Sequence, residues 1–158
     1  SIDLVVELNG YMGDSCIPVP VGHTNKKNMQ LIKATEGALF AGIKQAVVGN
    51  TVGDIGHAVE SYVKPYGYGV LREYVGHGIG TDMHEDPEIP NYGTPGHGPR
   101  LEEGMVICIE PMITMGSADI ISLRDGWSVV TADGKPSAHI EHTIAITKDG
   151  PKILTLRD

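Results

Sequence analysis

Cysteine is scarce in this sequence: the 158 residues include only Cys16 and Cys108, too few for a disulfide scaffold. Cys108 lies in the apolar run VICIEPMI, where a reduced, buried thiol is expected. This usage favours a reducing compartment, and we predict the cytoplasm. Long apolar runs are also lacking, since none approaches the roughly 20 residues that a membrane-spanning helix needs. We therefore expect no membrane partner.

Basic residues are outnumbered: 12 Lys and Arg stand against 20 Asp and Glu, which gives a formal charge of −8. A net acidic chain is a poor general binder of nucleic acid, so no specific nucleic-acid partner is expected. The composition, 41% hydrophobic and 20% charged, is typical of a globular domain. The excess carboxylates either face solvent or await cations, and their positions must decide between the two.

The order of secondary-structure signals predicts an α+β domain. Apolar runs at 2–8 and 11–17 flank Asn9-Gly10, a strong hairpin signal because both turn positions need positive φ. A helix is predicted over 26–48, and a second begins after Thr51 and ends near Lys64, with Asp54 completing a capping box. A strand at 69–75 and a Gly- and Pro-rich loop at 76–98 follow. Further strands are predicted at 104–113, 118–123, 127–131, 138–147 and 152–156. Helices covering one face of a largely antiparallel sheet fit this order.

The hairpin places two acids together. A two-residue turn pairs Val5 with Asp14, so Asp3 shares the face of Asp14 as a diagonal neighbour, with Cα atoms about 7–8 Å apart. Carboxylates that close repel each other unless a cation or proton lies between them. Two solvent-facing acids on a half-exposed hairpin remain the alternative.

Two more acids interrupt apolar strands. Glu110 lies in VICIEPMI, and Glu141 lies in HIEHTIAIT on the same face as His139 and Thr143, with His142 on the other face. A buried acid is unfavourable unless it is paired or bound to metal. Salt bridges are the competing explanation for each residue taken alone.

A glycine-rich segment, VGHGIG, leaves the imidazole of His77 unobstructed, and His84 follows in MHEDP. The glycine spacing does not match a phosphate-binding loop, and no helix pattern follows. Either histidine alone is most often a surface residue. Together with the acids they suit a pair of divalent ions such as Mn²⁺, Fe²⁺ or Co²⁺ rather than a structural zinc site. Such a pair activates water and polarises carbonyl groups. The candidate metal ligands are Asp3, Asp14, His77, Glu110 and Glu141.

The order of these motifs resembles that of a known family. Two Asp residues with ten residues between them, then GHGIG, HEDP, IEP and EHT, are similar to the type I methionine aminopeptidases along essentially the whole chain. The resemblance implies the pita-bread fold, a curved antiparallel sheet with helices on its outer face. It also implies an enzyme that removes N-terminal methionine from nascent proteins and peptides by two-metal hydrolysis, with Co, Mn or Fe as the ions.

The resemblance also implies roles for individual residues. Asp14 and Glu141 would bridge the two ions, Asp3 would bind one of them, and His77 and Glu110 the other. Three other residues have roles in binding the substrate. His84 would contact the scissile amide, and Trp127 would wall the methionine pocket together with Met83, which stands where several relatives carry an aromatic. As a hypothesis of mechanism, Glu110 would also act as general base, with ligation alone as the alternative.

One departure from the family concerns the N-terminal side. The family has a further half ahead of the hairpin, so residues 1–158 are expected to be the catalytic portion of a single metallopeptidase domain without its N-terminal half-sheet. The expected partner is a peptide or nascent-chain N-terminus. Contact with the ribosome stays open, and the complete protein is expected to be a monomer.

Three rival readings of the residues stay in play. An aminopeptidase P or prolidase-like enzyme shares the metal ligands but cleaves before proline, and the DGW segment favours methionine instead. A non-catalytic binding module with the same fold would normally lose metal ligands, whereas all five are present here. A plain structural domain would require the five matches to be coincidental.

Overall fold

The computed structural model describes residues 1–156, so the last two residues of the expected domain, 157 and 158, lie outside the described residues. The predicted hairpin is confirmed, with strands β1 (Ile2–Leu8) and β2 (Tyr11–Ile17). Asn9 and Gly10 have φ values of 53° and 83°, the left-handed conformation that a tight hairpin turn requires. The predicted register also holds, with Val5 opposite Asp14 and Asp3 opposite Cys16.

Two helices follow, α1 (Lys26–Ile43) and α2 (Val52–Val63), and a short 3₁₀ turn spans Lys64–Tyr66. The capping box is present: the Asp54 carboxylate accepts hydrogen bonds from the Thr51 backbone N–H and hydroxyl at 2.8 and 2.7 Å. The first helix ends five residues before the predicted position 48. There the backbone tightens into i→i−3 bonds at Gln45 and Ala46, ahead of two β-branched valines and a left-handed Gly49.

The remaining strands are shorter and more numerous than predicted. They are β3 (Gly69–Val70), β4 (Gly76–Gly78), β5 (Glu85–Ile89), β6 (Val106–Ile109), β7 (Met112–Thr114), β8 (Ile120–Ser122), β9 (Val129–Thr131), β10 (Ser137–His139), β11 (Glu141–Thr147) and β12 (Gly150–Ile153). The predicted loop at 76–98 therefore contains two strands, and the predicted strand at 69–75 is paired only at its start. The prediction at 104–113 is wrong about continuity, because Pro111 has no N–H to donate to the sheet. The predicted strand at 138–147 likewise divides at Ile140.

The strand pairings described among residues 1–156 are all antiparallel, as expected. A seven-stranded sheet has the order β1-β2-β11-β6-β4-β5 with β12 beside β11, and smaller sheets join β10-β7-β3 and β8-β9. Both helices pack against these sheets through a buried apolar core that includes Leu39, Ile55, Ile109 and Ile144. Within residues 1–156, no helix combines the length and apolarity needed to cross a membrane. The α+β prediction is confirmed.

Candidate metal centre

The predicted acids meet where the large sheet adjoins the three-stranded sheet. Glu110 follows β6 and precedes β7, and Glu141 begins β11 after the break at Ile140. The two broken segments run side by side, because His142 lies opposite Ile109 and His139 lies opposite Met112. Asp14 reaches the same place from β2, which pairs with β11 next to Glu141. The interruptions that shortened the strands thus lie at the candidate site.

Three of the five predicted ligands, Asp14, His77 and Glu141, are buried and share one group with Cys108, whose ligand atoms all lie within 4.8 Å of one another. Glu110 joins them, with Oε1 at 3.6 Å from His77 Nε2. Asp14 Oδ2 lies 3.9 Å from the same nitrogen. Asp3 is half exposed at the rim, so the structure brings four predicted ligands into the buried cluster and leaves the fifth at its edge.

The backbone fixes the orientation of His77. Its Nδ1 lies 2.8 Å from the carbonyl oxygen of Gly78, which can only accept, so Nδ1 carries the proton and Nε2 faces the carboxylates. The flanking glycines are needed for close packing: a Cβ at Gly76 would clash with the Cys108 carbonyl, and one at Gly78 with that of Asp86. This is the close backbone approach that the glycines predict.

Burial and mutual repulsion raise the pKa values of two of these acids. Desolvation, followed by the charges of Glu110 and Asp14, raises the pKa of Glu141 to about 8. Desolvation and the charge of Asp3 also raise the pKa of Asp14, although His77 opposes the rise. Asp14 Oδ1 and Glu141 Oε1 are buried without a hydrogen-bond partner. Unpaired carboxylate oxygens beside an imidazole are a donor set that fits divalent cations, and these orphaned oxygens are what a bound cation would satisfy.

Several neighbours of the cluster were not predicted as site residues. His139 Nε2 lies 3.1 Å from Glu110 Oε2, and its Nδ1 lies 3.9 Å from Asp3 Oδ2. Burial lowers the pKa of His139, but its contacts with Cys16 and Glu110 outweigh burial and raise it to about 10. The available signal was period two, which places His139 on the face of Glu141.

Backbone contacts around the cluster involve further residues that the sequence did not single out. The hydroxyl of Thr143 donates to the Asp14 carbonyl at 2.7 Å and accepts from the Asp14 N–H at 3.1 Å. Buried Asn91 donates to the Glu110 carbonyl at 3.1 Å. Burial, together with the charge of Glu141, raises the pKa of the Cys108 thiol. Both cysteines are buried and free, which confirms the buried thiol predicted for Cys108.

The predicted substrate-binding residues are less closely grouped. The His84 ring meets the His77 ring edge to face, with centroids 4.3 Å apart, so His84 lies at the mouth of the cluster. Trp127 is 90% exposed and lines a cavity of about 810 Å³ that also touches Asp3 and His139. Met83 is 41% exposed and is not among the residues lining that cavity, so the structure does not bring it together with Trp127.

Comparison with known proteins shows to which family the chain belongs. The model of metallopeptidase family M24 matches residues 1–148. The chain belongs to this family. It is 49% identical over 156 residues to a methionine aminopeptidase of Clostridium acetobutylicum, covering 99% of this chain and 62% of that protein. The chain therefore spans less than two thirds of that M24 relative.

Solved structures of M24 proteins share its fold. The methionine aminopeptidase of Rickettsia prowazekii superposes with a TM-score of 0.95 at 46% identity, over 98% of this chain and 62% of that one. The prolidase of Pyrococcus furiosus superposes with a TM-score of 0.74 at 28% identity, over 99% of this chain and 40% of that one. The curved antiparallel sheet with its two helices is thus the pita-bread fold, as the resemblance implies.

Proposed function

We propose that this chain carries the metal centre of a methionine aminopeptidase, an enzyme that removes N-terminal methionine from peptides and nascent proteins. The observation that carries the proposal is the buried cluster of acids around His77, in which Asp14 Oδ1 and Glu141 Oε1 lack hydrogen-bond partners. Identity near 50% to a methionine aminopeptidase, against 28% to a prolidase, supports methionine specificity over cleavage before proline.

The proposed cofactors are two divalent ions, with Co²⁺, Mn²⁺ or Fe²⁺ as candidates, because oxygen donors and one imidazole suit hard-to-borderline metals. The five ligands would be Asp3, Asp14, His77, Glu110 and Glu141. Asp14 and Glu141, the most buried acids, are proposed to serve both ions. When bound, ions of this kind supply an activated water and a polarised carbonyl.

The remaining steps fall to side chains of the chain itself. Glu110 is proposed to accept a proton from the attacking water and deliver it to the leaving amine. Its carboxylate is positioned for this work because His139 Nε2 holds Oε2 at 3.1 Å, while Oε1 lies 3.6 Å from His77 Nε2 and faces the cluster. His84, beside His77 at the open side, is proposed to contact the scissile amide.

The methionine side chain is proposed to enter the cavity beside Asp3 and His139, where Trp127 forms part of the wall. Its apolar lining includes Leu71, Met112 and Ile120, which suits an unbranched thioether. Met83 remains a predicted contact only. The cytoplasm as location, a peptide or nascent-chain N-terminus as partner and a monomeric complete protein remain part of the proposal, and contact with the ribosome stays open within it.

Substrate choice tests the proposal directly. The protein, loaded with Mn²⁺ or Co²⁺, should release methionine from a Met-Ala peptide and leave an X-Pro peptide intact. The reverse preference would identify a prolidase-like enzyme. A non-catalytic module of the same fold would show no tight divalent site in calorimetric titration, so metal binding is measured on the same sample.

Replacement of Glu110 separates proton transfer from binding. Glu110→Gln keeps the shape of the side chain and removes its basicity, so turnover should fall by roughly 10²–10⁴-fold while the peptide still binds. Glu103→Gln, an exposed acid on the same stretch of chain, is the matched control and should leave turnover unchanged. Near-normal turnover in Glu110→Gln would remove it as the base.

A further inference from the structure

A second group of metal-ligand atoms lies beside the acid cluster. Asp3, Cys16 and His139 each offer one ligand atom, and these atoms lie within 4.8 Å of one another. Asp3 and Cys16 are direct partners across the β1–β2 hairpin, and His139 comes from β10. We propose that these three residues form a second, sulfur-containing site that takes one thiophilic divalent ion such as Zn²⁺ or Cd²⁺.

The donor set distinguishes this site from the acid cluster. One sulfur, one imidazole nitrogen and one carboxylate oxygen, with a water in the fourth position, suit a tetrahedral ion of borderline to soft character. The acid cluster also has a sulfur within reach, that of Cys108, but its carboxylates outnumber it, so that set is richer in oxygen and suits harder ions. On binding, the Cys16 sulfur and His139 Nδ1 each form a bond to the ion, and the protons that these two atoms carry pass to solvent.

The imidazole of His139 already has the orientation of a metal ligand. Its Nε2 points to Glu110 Oε2 at 3.1 Å, while Nδ1 points to Asp3 Oδ2 at 3.9 Å. A carboxylate on the far nitrogen of a histidine holds the ring and directs the near nitrogen to the ion, as around known protein-bound metals. The three ligands need to approach by only a fraction of an ångström to about one ångström to reach tetrahedral spacing.

An ion has a route to this site. Asp3 and His139 both line the cavity of about 810 Å³ that contains Trp127. The Cys16 side chain is fully buried behind them, and its thiol now donates to the His139 carbonyl at 3.6 Å. A hydrated cation therefore meets the carboxylate and imidazole first and the sulfur last, as water is displaced.

Asp3 is shared between the sulfur-containing site and the acid cluster, so binding at one should affect binding at the other. Asp3 also belongs to the ligand set proposed for the two hard ions, and one carboxylate oxygen at this rim faces His139. A thiophilic ion held by Cys16 and His139 would draw Asp3 away from that set. This part of the inference rests on the proposed function, whereas the existence of the sulfur site does not.

The test uses the chelator-treated protein and Cd²⁺ alone, followed by the ultraviolet sulfur-to-cadmium charge-transfer band. The wild type and Cys108→Ser should both develop the band, and Cys16→Ser should not. His139→Gln should need at least about tenfold more Cd²⁺. Circular dichroism checks that each variant is folded. An absent band in the wild type, or a band lost in Cys108→Ser and kept in Cys16→Ser, would overturn the site.

A second measurement avoids the Cys16 variant altogether. Cys108→Ser retains Cys16 as its one cysteine, because the chain has two. X-ray absorption of this variant with one equivalent of Cd²⁺ should show one sulfur neighbour alongside oxygen and nitrogen. Oxygen and nitrogen neighbours alone would overturn the proposal. Neither measurement depends on peptidase activity, so failure here and failure of the proposed function are distinguishable.

Discussion

Each face of β11 carries fully buried side chains, and those on the two faces are chemically opposite. Ile144 and Ile146 on one face are 0% and 1% exposed and belong to the core under the helices. Glu141 on the other face is 1% exposed, and its Oε1 has no hydrogen-bond partner. Apolar burial stabilises the fold without help, whereas a buried carboxylate costs free energy until a proton or cation neutralises it. Burial alone therefore does not reveal which face serves the fold and which serves the site.

Metal binding should produce the largest change in the free energy of unfolding, and it should act through the face of β11 that carries Glu141. An excess of Mn²⁺ or Co²⁺ binds the folded protein, so it should raise the free energy of unfolding by about 4 kcal/mol at a thousandfold excess over the dissociation constant. The thermal midpoint in chelator and in metal measures this. Glu141→Gln should lose most of the gain, while Glu103→Gln, an exposed acid, should keep it. An equal gain in both variants would show that the metal does not bind through Glu141.

On the apolar face the expected loss is slightly smaller and independent of metal. Ile144→Ala leaves a cavity in the core and should lower the free energy of unfolding by about 3 kcal/mol. Chemical denaturation should give the same loss in chelator and in metal, because the two faces do not share the side chain. Ile121→Ala is the matched control: this isoleucine is 50% exposed, so its loss should stay within about 0.5 kcal/mol. A loss that depends on metal would show that the faces are coupled.

Features formed by residues close together in the chain are the ones that the sequence predicts well. The hairpin and its register follow from Asn9-Gly10, because a two-residue turn sets every pairing along both strands. The Thr51–Asp54 capping box is equally local. These features depend on residues close together in the chain, so sequence patterns are sufficient.

Features that depend on distant residues were predicted less well. The breaks at Pro111 and Ile140 separate strands that the apolar pattern joins, and they place Glu110 and Glu141 at a junction between sheets. The hairpin register places Asp3 near Asp14, and their apolar strands single out Glu110 and Glu141, but no spacing in the sequence specifies that all four converge, so full convergence rests on the family resemblance. His139 was missed as a site residue because its partners Asp3 and Glu110 lie 136 and 29 positions away in the chain.

Acidity distinguishes Glu141 from ordinary surface acids in the metal-free protein. Its pKa rises from 4.5 to about 8, chiefly by desolvation, so the folded state holds the proton more tightly than the unfolded state. Stability should therefore fall as pH rises from 4.5 towards 8. Glu141→Gln removes the charged form and should gain about 2 kcal/mol at the upper end of this window and little at the lower end. Denaturation in chelator at both pH values measures it, and a gain of equal size at both would contradict the account.

Asp54 gives the smallest effect and the opposite sign, although it is also an acid held in one conformation. Hydrogen bonds from the Thr51 hydroxyl and N–H lower its pKa below 3.8, so its stabilisation is present above that value and is lost as pH falls through the folded pKa. Asp54→Ala should therefore lower the free energy of unfolding by about 1 kcal/mol at neutral pH and by much less near pH 2. Glu103→Ala, exposed and outside the helix, should change little at either pH. Because hydrogen-bond donors satisfy the Asp54 carboxylate, added metal should not alter its contribution to the free energy of unfolding. A loss that depends on metal would show that the presence of hydrogen-bond donors does not explain the contrast between Asp54 and Glu141.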